Sequence, residues 1–205
     1  MKLGLFGGTF DPVHNAHLFV AEAARVELAL ERVLFLPTRG SHYRMAPTCG
    51  LEDRLAMLRL AIAGNVNFTL DESDVDDVAS GYTADLLPRL RRRYADAKFT
   101  FIAGGDSLVE WPWQRFDQVL AQLDMFAIAP RAEREPERLN AFLATLEPVQ
   151  RAQIVLLDLP ALRGSATLVR AQSARGGSIR YLVPEGVHRY IRDNALYPAP
   201  AESHA

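Results

Sequence analysis

The sequence predicts a doubly wound α/β fold, a mostly parallel sheet with helices on both faces. Three observations carry this. Short apolar runs alternate with helix-period segments along the chain; the runs lack a polar alternation, as strands buried on both faces do; and the first run leads straight into a glycine-rich turn. The strand runs are Leu3–Phe6, Arg32–Leu36, Val66–Leu70, Phe99–Ala103, Met125–Ala129 and Ile154–Leu157. Between them His17–Leu30 places Leu18, Ala21, Ala24 and Leu28 on one helical stripe, and Leu51–Ala63 repeats the pattern with Leu55, Leu58 and Ile62. Tyr82–Tyr94 and Phe116–Leu123 follow the same rule, and Arg131–Arg138 reads as a polar connection into a further helix. In such a Rossmann-like sheet ligands sit at the carboxyl ends of the strands, near the switch point. The acidic stretch Asp71–Asp77 and the arginine run Arg91–Arg93 read as solvated loop and helix faces.

Composition narrows the function. The 205 residues are 49% hydrophobic and 23% charged with a net charge of −2, which argues against a general nucleic-acid binder. The single cysteine, Cys49, excludes an intrachain disulfide and a cysteine metal cluster. Absence of a charged-then-apolar leader and of any membrane-length apolar run leads to the expectation of a cytoplasmic protein that meets no membrane. Lys2 and Lys98 are the only lysines, so a phosphate-binding cation in a site would be Arg or His.

Chemistry concentrates after the first strand, in Gly7-Gly8-Thr9-Phe10-Asp11-Pro12-Val13-His14-Asn15-Ala16-His17. Two glycines let backbone N–H groups approach an anion. Asp11-Pro12 sets a turn, and a helix begins near His14. Three residues apart, His14 and His17 share a face of its first turn, where the dipole and free N–H groups also favour an anion. Zinc binding by His-x-x-His lacks a third ligand. The G-x-G-x-x-G and Walker A patterns are absent. A second anion site is read in Gly164-Ser165-Ala166-Thr167-Leu168-Val169-Arg170: Ser165 is an N-cap, and Thr167 and Arg170 share a face of the turn it opens.

The first segment resembles the G-x-F-D-P-x-H-x-G-H signature of the nucleotidyltransferase superfamily, with Ala16 in place of the usual glycine, where its methyl is expected to crowd the nucleotide slightly. The second is similar to the I-S-S-T-x-I-R motif of the same superfamily. Gly81-Tyr82-Thr83-Ala84-Asp85-Leu86, Ile102–Leu108, Arg54–Leu58 and the closing Ser178–Tyr197 resemble bacterial nicotinate-mononucleotide adenylyltransferases, so the likeness covers nearly the whole chain. It implies one domain over 1–197, helical from about 163; the chain end from Pro198 to Ala205 (198–205) reads by itself as a flexible tail. The likeness also implies transfer of the adenylyl group of ATP to nicotinate mononucleotide with release of pyrophosphate, in NAD biosynthesis.

On that likeness His14, His17 and Arg170 are the catalytic candidates. Gly7, Gly8, Thr9, Phe10, Gly104, Asp106, Ser165 and Thr167 join them around ATP. Asp106 is placed for a ribose hydroxyl, or else caps a helix. His42, Arg44, Tyr82, Thr83, Asp106, Trp113 and Arg115 are the acceptor-side candidates, Trp113 as an aromatic stack with Trp111 as competitor. Two departures fall here: the family's Pro-Pro-His-Lys loop reads Gly40-Ser41-His42-Tyr43-Arg44, and the loop before Trp113 is about one residue short. Mg2+ is expected with ATP, held by phosphates and water, with no metal site in the protein itself. Rival readings are an adenylyltransferase acting on nicotinamide mononucleotide or phosphopantetheine, and a non-catalytic nucleotide sensor. A class I aminoacyl-tRNA synthetase shares the histidine motif, but the chain is too short and lacks a lysine-bearing second signature. The oligomeric state is left open, a homo-oligomer included.

Overall fold

A computed structural model describes residues 1–39, 46–109, 113–130, 135–160 and 164–199. Six strands form one sheet in the order β3-β2-β1-β4-β5-β6, every pairing parallel. They are β1 (Lys2–Gly8), β2 (Arg32–Pro37), β3 (Phe68–Leu70), β4 (Lys98–Gly104), β5 (Met125–Ala129) and β6 (Ile154–Leu156). Helices α1 (Asn15–Glu27), α2 (Leu51–Ile62), α3 (Thr83–Arg93), α4 (Gly105–Val109), α5 (Phe116–Ala121), α6 (Glu135–Ala144) and α7 (Pro148–Ala152) intervene, and α8 (Ala166–Ala174) and α9 (Glu185–Asp193) close the chain.

Strand geometry explains the two cores. Successive side chains leave a strand on opposite faces, so Leu3 and Leu5 of β1 join Leu34, Leu36, Phe99 and Phe101 on one side, under α3 and α5. Phe6 joins Val33, Phe35 and Ile102 on the other, with residues of α1, α2 and α9. The register sets Leu5 level with Leu34 and Phe101, and Phe6 with Phe35 and Ile102. Both faces of the central strands are therefore buried, which is why their sequences are apolar throughout.

The structure departs from the sequence expectation in four places. β3 begins at Phe68, not Val66: the Asn65 carbonyl accepts from Phe68 N–H and its side chain from Asn67 N–H, making a turn that leaves Val66 88% exposed. α1 ends at Glu27 because Ala29 adopts a left-handed φ of 50°. The acidic stretch is not uniformly solvated, since Asp71 and Asp74 are buried. Nor is the arginine run: Arg91 lies 4.1 Å over the Phe99 ring and donates to the carbonyls of Ala97 and Gln122, and Arg93 pairs with Asp71 at 3.2 Å. Arg92 alone is exposed without such partners among the described residues. The short helices α4 and α7 carry too few residues to show a helical stripe.

Candidate active site

The chain runs β1 to β2 to β3 and then returns to place β4 beside β1, so the switch point lies between the carboxyl ends of β1 and β4. A cleft of about 690 Å³ opens there, within the range of small-molecule sites. Its walls bring together Gly7, Gly8, Thr9, Phe10, His14 and His17 from the β1–α1 segment, Gly104 from β4, and Ser165, Thr167 and Arg170 from the start of α8. Tyr82, Thr83 and Trp113 line the same cleft.

Each piece is positioned by identifiable contacts. Phe10 is held at φ 49°, a costly conformation for a bulky residue, because its ring is buried edge-on against Phe6 and His17, 5.8 and 5.1 Å between centroids. This turns the chain so that the two histidines stack, ring centroids 3.6 Å apart, at the first turn of α1. His17 Nδ1 accepts the backbone N–H of His14 at 3.2 Å. That bond assigns the ring proton to Nε2, which makes Nε2 the donor nitrogen.

Arg54, 1% exposed, was not among the sequence candidates. Its guanidinium donates to the carbonyls of Thr9 and Thr38 at 2.7 Å each and of Arg39 at 3.2 Å. Burial lowers its pKa, an effect opposed by the nearby Asp11. Asp11 is a second unanticipated node. Its carboxylate accepts Thr48 N–H and the Tyr197 hydroxyl, both at 2.7 Å, while its carbonyl accepts Arg170 at 2.6 Å. Arg170 also reaches Thr167 Oγ1 at 3.3 Å, and Ser165 Oγ caps α8 by accepting Leu168 N–H at 3.1 Å. The two anion segments are thus joined through one guanidinium. They also touch directly: a β-carbon built on Gly164 would lie 2.9 Å from that of Ala16. Ala16 lines the cleft, but its methyl also fills the space beside the bare α-carbon of Gly164.

At the other end Trp113 is anchored by its indole N–H on the Ser107 carbonyl at 2.9 Å and by edge contacts to Phe101, Phe116 and Phe126. It belongs both to the core and to the cleft wall. Thr83 opens α3. Arg115 is not among the described residues lining the cleft; it makes a bidentate pair with Asp85 at 2.8 and 2.9 Å and lies 5.6 Å over the Tyr82 ring. Asp106 falls in α4, directly after β4, and its side chain lies outside the described residues, as do His42, Arg44 and Trp111. Ser107, Thr38, Leu86 and Asp74 line the cleft without having been anticipated. Among the described residues no group of three His, Cys, Asp or Glu side chains is arranged to hold a metal ion.

A family model described as cytidylyltransferase-like matches residues 5–172. A Thermomicrobium roseum protein named "probable nicotinate-nucleotide adenylyltransferase" is 39% identical over 197 residues, 96% of this chain and 91% of its own length. One of the same name from Exiguobacterium sibiricum is 36% identical over 198 residues, 96% of this chain and 99% of its own. Among solved structures, a Plasmodium falciparum nicotinic acid mononucleotide adenylyltransferase complexed with NaAD superposes with a TM-score of 0.77, covering 96% of this chain and 97% of that one. Its sequence identity is 17%, so this likeness speaks for the fold.

Proposed function

The chain belongs to the cytidylyltransferase-like family, and from that premise we propose that it transfers the adenylyl group of ATP to nicotinate mononucleotide, giving nicotinate adenine dinucleotide and pyrophosphate. The observation that carries this reading is the convergence of Gly7–His17 and Ser165–Arg170 on one cleft at the switch point, tied by the Arg170–Asp11 bond. The names of the full-length relatives support the acceptor.

The acceptor phosphate is already anionic near neutral pH, so no general base is required to create the nucleophile. One of its oxygens attacks the α-phosphorus of ATP in line; a new P–O bond forms as the bond to the β-phosphate oxygen breaks, and the electron pair leaves with pyrophosphate. Catalysis of such a step consists of positioning and of stabilising charge on phosphoryl oxygens. His17 Nε2–H and His14 donate to the α-phosphate. Backbone N–H groups of Gly8, Thr9 and Phe10 hold the nucleotide, and Ser165, Thr167 and Arg170 take the β,γ end. Tyr82, Thr83 and Trp113 form the acceptor end, where the amino terminus of α3 favours a negative ring substituent. Mg2+ brought in with ATP would be held by phosphate oxygens and water and would offset charge on the phosphates. A reducing cytoplasm suits a chain whose one cysteine, Cys49, is buried with its thiol pushed up to about 11 by desolvation.

Pyrophosphate release is the test, with ATP and, in turn, nicotinate mononucleotide, nicotinamide mononucleotide and phosphopantetheine. Nicotinate mononucleotide is expected to give the highest kcat/KM. Release with phosphopantetheine alone, or with no acceptor, would refute the reading.

A further inference from the structure

The loop between β3 and α3 holds a group that this mechanism leaves unused. Asp74 is 6% exposed and lines the cleft together with Tyr82, Thr83 and Leu86. The loop around it is fixed at many points. The Asp71 carboxylate accepts from Ser73 N–H, Arg93 and Tyr94 at 3.0, 3.2 and 3.1 Å. Arg89 donates to the Ser73 carbonyl at 2.7 Å and pairs with Asp76, and Arg39 donates to the Val75 carbonyl at 2.8 Å. Asp74 itself makes no hydrogen bond or ion pair with a described residue. A carboxyl group that is largely shielded from water, borders a cleft and bonds to no described residue is open to a partner that a ligand brings into the cleft.

We propose that Asp74 is a specificity-determining residue for the acceptor: its carboxyl group meets the ring substituent of the bound mononucleotide and distinguishes a carboxylate from a carboxamide. This rests on the reading of the Tyr82–Thr83 end as the acceptor end. The neutral form donates its O–H to the nicotinate carboxylate. The ionised form repels that carboxylate and accepts an N–H of a carboxamide instead. Burial pushes Asp74 up to about 7, with Arg89 pulling down and Asp76 pushing up, so both forms are populated near neutrality. Of the other nearby charges, Arg39 is paired with Asp77, and Asp11, His14, His17 and Arg170 face the part of the cleft assigned to phosphates, which both acceptors share.

The test compares the affinities of nicotinate and nicotinamide mononucleotides between pH 6 and 8 at saturating Mg-ATP. Affinity is read as KM or, for an acceptor not turned over, as its competitive inhibition constant. The acceptor phosphate and the cleft histidines affect both ligands alike and cancel in the ratio. A group titrating near 7 goes from mostly neutral to mostly ionised across this range, which weakens nicotinate and strengthens nicotinamide binding, so the preference for nicotinate is expected to fall by more than about tenfold. In Asp74→Asn, whose amide can serve either ligand, the ratio is expected to be independent of pH; Asp74→Ser gives a second variant should the first fold poorly. A flat ratio in the wild type, or an unchanged slope in the variants, overturns the proposal. Failure of the wild type to use nicotinate mononucleotide at any pH contradicts the proposed function instead, and the same wild-type series shows it.

Discussion

Ala16 and Gly164 show how single residues set the distance between the two anion-binding segments. One supplies a methyl group and the other leaves room for it, so a side chain at 164 meets Ala16 at 2.9 Å. Gly164→Ala is therefore expected to push the start of α8 off α1 and raise the KM for ATP about tenfold, since small misplacements at a reacting centre are expensive. Adding Ala16→Gly should recover most of the loss, and steady-state constants for the four corners of the cycle measure the coupling. Strictly additive effects would show that the pair does not set this spacing. The departure at Ala16 was visible in the sequence, but its relation to Gly164 was not, because residues so far apart meet only through the fold. Arg54 was hidden for a different reason. It stands among the apolar positions of α2, beside Leu55, Met57 and Leu58, and only the three carbonyls it satisfies explain its burial.

Among the elements, the closing segment acts as a clasp on the β1–α1 turn. Asn15 donates its backbone N–H to the Leu182 carbonyl at 2.9 Å and its side chain to the Tyr181 carbonyl at 2.7 Å, while Tyr197 reaches back to Asp11. Tyr197→Phe leaves a buried carboxylate oxygen without its donor and is expected to cost about 1–3 kcal/mol. Urea denaturation measures this, and an unchanged midpoint would mean that the hydroxyl bond is not needed. The six strands and the four principal helices between them were legible from periodicity because both faces of the sheet are apolar. Their ends were less so: β3 is shortened by the Asn65 turn, and α1 by the left-handed Ala29. Both are decided by local hydrogen bonding and backbone conformation, which hydrophobic periodicity does not encode.

For the whole molecule, the same buried carboxyl group that borders the acceptor end links stability to pH. Asp74 titrates near 3.8 when unfolded and at about 7 in the fold, so the folded state holds more protons between these values. The contribution of Asp74 to stability should therefore fall as pH rises from about 4 through 7 and then level off. Asp74→Asn removes the dependence: relative to wild type its Tm is expected to gain at least about 3 °C at pH 8 and nothing below pH 4. Thermal melts at the two pH values check this, and equal differences at both would contradict it. The alternation of strands and helices announced the sheet, and the glycine turn after β1 announced its functional edge. The strand order was not legible, since it depends on which neighbour each crossover selects, and with it the convergence of residues 7–17 with 165–170 became visible only in three dimensions. The proposed reaction depends on that convergence, and the turnover of His17→Ala with ATP and nicotinate mononucleotide probes it. kcat is expected to fall at least about a hundredfold while the fold is retained and Tm drops only by a few degrees, the bond from His14 N–H being lost; turnover near the wild-type rate would overturn this reading.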